Sequence, residues 1–308
     1  MLFRSLDAPA PAPQKKPASD IPTLAEMREK RRGALTFSAP PEGIVAHTPP
    51  TPPFWGTREV EMTIESVLPL INEDVLFRAR WQYLRRKLDD AAYKEIIETQ
   101  VRPMFEKLKE QVSAEGLMSP RGVYGYLPCR AEGNALVVLD GPGGSERARL
   151  QLPRQLKPPH HCIADFFQGG EAGDVLACFV VTVGQEVSHR IKELYEAHAY
   201  RDYLHLHGLS VDTAEATAER LHQIIRHELD IHHQDAESAE DLFRCRYQGC
   251  RYSFGYPACP DLDNQRLLFD LLEPGRAGVS LTSSLQMVPE QSVSAIVTHH
   301  PSARYFAV

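Results

Sequence analysis

Apolar positions change their spacing along the chain and divide it into blocks. Between residues 64 and 115 they recur every three or four positions, the spacing of one face of a helix. Asp89 or Asp90 supplies a capping residue for a new helix, and Pro103 lies where that helix must kink or restart. The first block is therefore predicted to be helical.

The spacing of apolar positions shortens after this helical block. Residues 120–183 contain apolar or alternating runs separated by turn sequences such as Gly133–Asn134, as expected for hairpins of an antiparallel sheet. Helical spacing returns afterwards, followed by a loop rich in glycine and proline, one more helix and two final strands. Helices and strands in separate blocks predict an α+β fold. The predicted strands cover 122–129, 135–139, 147–152 and 175–183; the later helices cover 187–231 and 263–273, with the loop at 249–260.

Proline marks the N-terminal part of the chain. Eleven of the 24 prolines lie in the first 53 residues. The Ala8–Pro13 repeat favours an extended polyproline conformation, which suits a semi-rigid tether. We therefore predict a flexible proline-rich leader over residues 1–52 and a single domain over residues 53–308.

Composition excludes several classes of protein. A net charge of -7 argues against a general nucleic-acid binder, which needs an excess of Lys and Arg. No apolar run approaches the length of about 18 residues that spans a bilayer, and the N-terminus lacks a signal-peptide core. Six irregularly spaced cysteines do not form a disulfide pattern. These features predict a cytoplasmic protein without membrane or nucleic-acid partners.

Common catalytic and metal motifs are missing from the sequence. His227 and His232 differ by one position from the H-E-x-x-H zinc spacing, which on a continuous helix turns the second imidazole away from the first. There is no C-x-x-C pair, no nucleophile elbow and no phosphate-binding glycine loop. We therefore predict neither a metal site nor a catalytic acid, base or nucleophile.

The stretch Arg251–Pro260 has the composition of a ligand loop. The guanidinium of Arg251 can donate two parallel hydrogen bonds to an anion. Gly255, four residues further on, permits close approach of the backbone to a ligand. Pro257 and Pro260 restrict the path of the loop and so lower the ordering cost of binding. A ligand with a carboxylate and a flat ring would suit it. A structural turn whose arginine makes a surface salt bridge explains the same residues equally well.

This stretch resembles the R-x-x-x-G-Y signature of the activation domain of cobalamin-dependent methionine synthase, with its Pro-Ala-Cys-Pro continuation. Other segments resemble that domain in the same order, over about residues 53–308. They are Pro53–Gly56, Gly122–Cys129, His161–Phe167, Thr213–His222, Ser280–Leu285 and the C-terminal His300–Val308.

The resemblance implies a C-shaped α+β domain with a bent antiparallel sheet flanked by helices. It implies that S-adenosylmethionine binds here and supplies the methyl group that converts inactive cob(II)alamin to methylcobalamin. The cobalamin would be bound by a partner domain or protein, and the electron would come from flavodoxin or a similar reductase. The chain has no cobalamin, homocysteine or folate motif of its own. It would therefore be either one part of the 5-methyltetrahydrofolate–homocysteine methyltransferase or a stand-alone reactivator that acts on a separate partner.

The resemblance also implies the site residues. Arg251 would pair with the methionyl carboxylate, and Glu215 would lie near the ammonium and sulfonium end of the ligand. None is expected to be a general acid or base, because methyl transfer to cobalamin needs positioning. The remaining cofactor-binding positions would be Ser253, Gly255, Tyr256, Tyr305 and Phe306.

Two positions depart from the family's pattern. Where the family commonly has an Asp two residues before Thr-Pro and a Glu six residues before the signature Arg, this chain has Pro49 and Cys245. The carboxylate and cleft contacts carry over, whereas these two contacts to the ligand's amino end do not. An alternative function is a non-catalytic docking or chaperone partner of a cobalamin-binding protein, for which a carboxylate clamp would be unnecessary.

Overall fold

A seven-stranded antiparallel sheet forms the centre of the computed structural model, which describes residues 43–308. Most of the predicted leader, residues 1–42, lies outside the described residues. The strand order is β4-β3-β2-β5-β9-β6, with β1 also paired to β2, while β7 and β8 form a separate two-stranded sheet. The strands are β1 (Gly56–Glu61), β2 (Arg121–Glu132), β3 (Ala135–Leu139), β4 (Glu146–Gln151), β5 (Asp174–Thr182), β6 (Cys250–Ser253), β7 (Ser280–Leu281), β8 (Met287–Val288) and β9 (Ser292–Thr298).

The long strand β2 organises the sheet. One edge pairs with β5 along Arg121–Cys129, and the other edge pairs first with β1 and then with β3. Gly133 has a φ of +60° in the two-residue turn between β2 and β3, a conformation that glycine adopts without strain. All four strands predicted between residues 120 and 183 are confirmed to within three residues at each end.

Both faces of the sheet are buried, which β5 shows most clearly. Val175, Ala177, Phe179 and Val181 belong to one hydrophobic core, whereas Leu176, Cys178 and Val180 belong to a second core on the opposite face. Side chains alternate across a strand, so this nearly continuous apolar run supplies both cores at once.

Helices cover both faces of the sheet. The longest, α6, contributes Leu209, Ala214 and Leu221 to the first core, and α8 contributes Leu268 and Leu271 to the second. The helices are α1 (Ile64–Val67), α2 (Glu73–Val75), α3 (Asp90–Ile96), α4 (Arg102–Ala114), α5 (Glu186–Glu196), α6 (Tyr200–Glu228), α7 (Ala239–Phe243) and α8 (Asp263–Leu272).

The C-terminal end of α6 is fixed to β2 by one carboxylate. Glu228 accepts hydrogen bonds from the hydroxyls of Tyr124 (3.0 Å) and Tyr126 (2.7 Å). Burial together with this carboxylate raises the pKa of Tyr124 to about 12, so the phenol remains a donor. These bonds fix the helix relative to the sheet.

The first helical block is more broken than its apolar spacing predicts. Three-residue and four-residue turns replace a continuous helix between Ile64 and Val75, with Pro69 inside a 3₁₀ turn. Asp89 caps α3 by accepting the backbone N–H of Ala92 at 2.8 Å, as predicted. A π-helical turn follows, and α4 starts at Arg102 with Pro103 in its first turn, where the missing N–H costs least.

The described residues thus confirm an α+β fold with an antiparallel sheet flanked by helices. Among residues 43–308, none of the helices is both long and apolar enough to cross a membrane.

Candidate functional site

Arg251 lies on an edge strand, within the segment that was predicted to be a loop. Residues Cys250–Ser253 form β6, which pairs with β9 so that Arg251 is opposite Val297. Cys250 and Tyr252 point into the second core, and strand alternation therefore turns Arg251 and Ser253 toward α6 on the other face. The loop prediction was wrong for these four residues, because the pairing with β9 is a long-range contact that local composition does not reveal.

A tight turn follows the strand. Gly255 has a φ of +82°, and a Cβ added there would lie 3.3 Å from Leu262 Cδ2. The Gly255 N–H donates to the carbonyl of Cys259 (2.8 Å), and the Cys259 N–H donates to that of Tyr256 (2.9 Å). The turn therefore presents Tyr256, whose residue is 47% exposed, beside the strand end.

Glu215 on α6 joins the turn to the strand. Its Oε1 accepts the Tyr256 hydroxyl at 2.8 Å, and its Oε2 lies 3.4 Å from Arg251 Nη2. Burial and the adjacent Glu215 carboxylate raise the pKa of Tyr256 to about 12, so the phenol stays protonated and donates. The predicted residues Arg251, Glu215 and Tyr256 are thus brought together around one carboxylate.

The guanidinium of Arg251 has unused binding capacity. Only 18% of its side chain is exposed, and Nη1 is buried with no hydrogen-bond partner among the described residues. Its bond to Glu215 is long for a charge-assisted hydrogen bond, for which 2.7–2.9 Å is usual. A buried donor without a partner is costly, so this geometry fits an arginine that completes its bonds with an anionic ligand.

A buried polar row continues along α6 behind Glu215. Glu219 lies 3.5 Å from Arg226, which is fully buried and also bonds Asp235 at 2.9 Å. Burial alone would raise the pKa of Glu219, but His222 and the Arg251 and Arg226 guanidinium groups hold it below its ordinary value. The row keeps a negative charge near Arg251 and supports its position. Sequence reasoning missed these residues, although residues 212, 215, 219, 222 and 226 show the three- and four-residue spacing of one helix face.

Asp212 extends this row on the other side of Glu215. Its Oδ1 accepts a hydrogen bond from Arg80 Nε at 3.2 Å, whereas Oδ2 is buried with no hydrogen-bond partner among the described residues. Burial raises the pKa of Asp212 to about 6, and Arg80 offsets only part of that effect.

We expect Asp212→Asn to flatten the dependence of stability on pH. The folded-state pKa lies above the unfolded value, so the folded chain binds this proton more tightly and stability falls as pH rises from about 4 to about 6. The loss for a shift of this size is about 3 kcal/mol, and asparagine removes it. Urea unfolding across this range is the measurement. Asp202→Asn, an exposed position on α6, should follow the wild-type profile. A profile of Asp212→Asn parallel to wild type would contradict the assignment.

The other predicted residues have different surroundings. Ser253 is half-buried on the same face of β6 as Arg251. Tyr305 is 47% exposed and stacks on Tyr252, with ring centroids 6.2 Å apart. Phe306 is buried in the second core, 5.7 Å from the Tyr252 ring, and so supports β6 from behind.

The histidines also differ from the geometry assumed for them. The helix ends at Glu228, so His232 lies in a following 3₁₀ turn, and its ring stacks on His227 with centroids 3.8 Å apart. The expectation that the two imidazoles point apart was wrong, because it assumed a continuous helix. Asp230 and His233, which are exposed, lie close to the half-buried His232, and a separate, more buried group comprises His47, Asp174 and His299.

The chain is similar to large enzymes from two mycobacteria. It is 40% identical over 276 residues to the methionine synthase of Mycobacterium tuberculosis (strain ATCC 25618 / H37Rv) and 38% identical over 277 residues to that of Mycobacterium leprae (strain TN). Each match covers 84% of this chain and 23% of the relative. The chain therefore spans about a quarter of the length of these relatives.

A solved structure, the crystal structure of the MetH reactivation domain bound to AdoHcy, shares the fold with a TM-score of 0.76. The two are 28% identical, and the match covers 85% of this chain and 83% of that one. Residues 63–308 also match the sequence model of the activation domain of vitamin B12 dependent methionine synthase. The chain belongs to this activation-domain family, which confirms the resemblance inferred from Arg251–Pro260.

Proposed function

We propose that this chain binds S-adenosylmethionine in the cleft between β6 and α6 and supplies its methyl group to a cobalamin held by another domain. The observation that carries the proposal is the buried, unpartnered Nη1 of Arg251 beside the Glu215 carboxylate. The methionyl end of S-adenosylmethionine carries a carboxylate and an ammonium group. The carboxylate would pair with the guanidinium of Arg251, and the ammonium would pair with Glu215. The related reactivation domain that binds AdoHcy, the demethylated form of the same ligand, supports the choice of ligand.

The remaining residues would shape the cleft. Gly255 allows the backbone to approach the ligand, and the half-buried Ser253 lies on the same face as Arg251. The exposed Tyr256 and Tyr305 offer flat surfaces on the two sides of β6, and Phe306 stabilises Tyr252 from the core. We propose all of these as ligand-binding positions, with Phe306 acting indirectly through Tyr252.

The chemistry of the bound donor is that of a sulfonium, which carries an activated methyl group. The residues of the chain need to bind and orient this donor, since the acceptor cobalt is itself the nucleophile. Tyr256 remains protonated because of its raised pKa, so it acts as a hydrogen-bond donor to Glu215 and not as a base. Catalysis by this chain would therefore be positional.

The cobalamin-binding partner is inferred from the share of the relatives that the chain covers. It spans 23% of each relative, so we propose that a cobalamin-binding domain is supplied in the same polypeptide or by a separate protein. Flavodoxin or a similar reductase would provide the electron.

The domain boundary at residues 52 and 53 stays a prediction. Residues on the leader side of it already contact the domain, because the His300 ring bonds the Val45 carbonyl at 3.0 Å. We propose that the tether proper lies N-terminal to these contacts.

Calorimetry with S-adenosylmethionine and with its decarboxylated analogue tests the proposal. The parent ligand is expected to bind to the isolated chain, and the analogue should bind at least about tenfold more weakly because it cannot engage the guanidinium of Arg251. Failure to bind the parent ligand at millimolar concentration, with or without a cobalamin domain, would reject this function in favour of a docking role. Equal affinities would show that Arg251 does not hold the carboxylate.

A further inference from the structure

Three metal-ligand side chains meet at one end of the central sheet, and none of them is among the residues assigned to the proposed cleft. Asp174 is the first residue of β5, and His299 immediately follows β9. These two strands are antiparallel neighbours, so the start of one lies beside the end of the other. His47 comes from the segment that precedes β1 and completes the group.

The donor atoms are close and almost fully buried. His299 Nε2 lies 2.6 Å from Asp174 Oδ1, and His47 Nε2 lies 3.7 Å from Asp174 Oδ2. The side chains of His47, Asp174 and His299 are 9%, 0% and 2% exposed. His47 Nε2 is buried with no hydrogen-bond partner among the described residues. A buried ring nitrogen that faces a carboxylate without bonding it is available to coordinate a cation.

Surrounding hydrogen bonds hold these side chains in place. The Asp174 carboxylate accepts the backbone N–H groups of Gln168 (2.7 Å) and Val175 (2.6 Å). The Gln168 side-chain amide donates to the His47 carbonyl, and the Gln248 amide donates to the His299 carbonyl at 3.0 Å. Metal ligands are commonly oriented by such outer contacts.

His300 belongs to these supporting contacts and is not a fourth ligand. Its Nδ1 accepts the N–H of Ser302 at 2.9 Å, so its Nε2 carries the proton and donates to the carbonyl of Val45. Both ring nitrogens are therefore occupied. The ring packs edge-on against His47 with centroids 4.1 Å apart, which restricts the orientation of the His47 imidazole.

We propose that His47, Asp174 and His299 bind a divalent first-row transition-metal cation, of which Zn²⁺ is the representative. Two imidazoles and a carboxylate are a donor set that suits such cations and not Ca²⁺ or Mg²⁺. Ligand atoms around tetrahedral Zn²⁺ lie about 3.3 Å apart for bonds of about 2.0–2.2 Å. The observed separations of 2.6 and 3.7 Å lie on either side of that value, and all three ligand atoms lie within 4.8 Å of one another, so small side-chain movements would complete the site.

A cavity lies beside the backbone end of this group, at Asp174. This cavity of about 670 Å³ is lined by Asp174, Gln168, Pro49 and Trp55, among others, and opens to solvent. Three protein ligands with one open position describe a site that accepts water or a small anion. Since His47 precedes β1, bound metal would also fasten the segment that leads into the domain to the ends of β5 and β9.

Metal titration of the full chain after chelator treatment tests this site. We expect one equivalent of Zn²⁺ or Co²⁺ to bind, and His47→Ala or His299→Ala to weaken binding at least about 100-fold, since each removes a direct ligand. His233→Ala is the matched control, because it removes an exposed histidine from the other group of ligand residues. Circular dichroism establishes that the variants are folded.

A measurement on the wild-type chain keeps the proposal testable if a variant does not fold. X-ray absorption of the Zn²⁺ form should show two imidazole nitrogens and carboxylate oxygen at about 2.0–2.2 Å. The absence of stoichiometric binding, or binding that is lost in His233→Ala and kept in His47→Ala, would overturn the proposal and leave Asp174 as an ordinary ion-pair partner of the histidines. Neither outcome bears on S-adenosylmethionine binding.

Discussion

Alanine in place of Asp165 is expected to lower the free energy of unfolding by about 3–5 kcal/mol, the range for breaking a buried ion pair. Asp165 forms a two-pronged pair with Arg154, with both N–O distances at 2.6 Å and side chains only 4% and 1% exposed. Its Oδ2 also accepts the backbone N–H of Cys162 at 2.8 Å. The substitution therefore removes the charged partner of a buried guanidinium, which also bonds Asn134 and the His160 carbonyl, and removes the acceptor of the Cys162 N–H.

Urea unfolding of three variants separates this cause from general damage. The double variant Arg154→Met, Asp165→Leu removes both charges and should recover much of the lost stability. Glu146→Ala breaks an exposed ion pair with Arg149 and should leave the unfolding midpoint close to wild type. A small effect of Asp165→Ala, similar to that of Glu146→Ala, would mean that the buried pair contributes little.

Alanine in place of Arg251 is expected to weaken S-adenosylmethionine binding by about 2–3 kcal/mol, or roughly 30–150-fold. The substitution removes the buried guanidinium and leaves Glu215 as an uncompensated carboxylate in the cleft. Arg251→Lys keeps the charge but loses the planar pair of donors, so its affinity should fall between wild type and alanine.

Calorimetry measures these affinities, with Arg190→Ala as the control. Arg190 is an exposed arginine that pairs with Glu115 and Glu193, so its loss should leave binding unchanged. An Arg251→Ala variant that is folded and binds with wild-type affinity would refute the assignment of the carboxylate clamp.

Much of the sheet could be predicted because its signals are local. The apolar runs between residues 120 and 183 are bounded by glycine turns, and the structure confirms each strand. The strand β6 was not predicted because it has only four residues, lies beside Gly249 and Gly255, and depends on pairing with residues of β9 that are 42–48 positions away. Long-range pairing of this kind overrides local composition.

The candidate site could be predicted only in part, because some of its residues lie in recognisable local segments and others are brought together by long-range packing. Arg251, Glu215 and Tyr256 lie in segments with a family resemblance, and the structure places them together. The roles of Glu219 and Arg226 depend on which face of α6 is turned toward β6, which only the packing reveals. The group of His47, Asp174 and His299 joins three distant parts of the sequence, so no spacing motif could indicate it.

Transfer of a labelled methyl group from S-adenosylmethionine tests the central claim most directly. The acceptor is a cobalamin-binding domain of a related methionine synthase, kept reduced by a chemical electron donor in place of the reductase. The proposed function predicts that label appears on the cobalamin when the wild-type chain is present, and far more slowly with Arg251→Ala. Transfer at the same rate without the chain, or with Arg251→Ala at the wild-type rate, would contradict it.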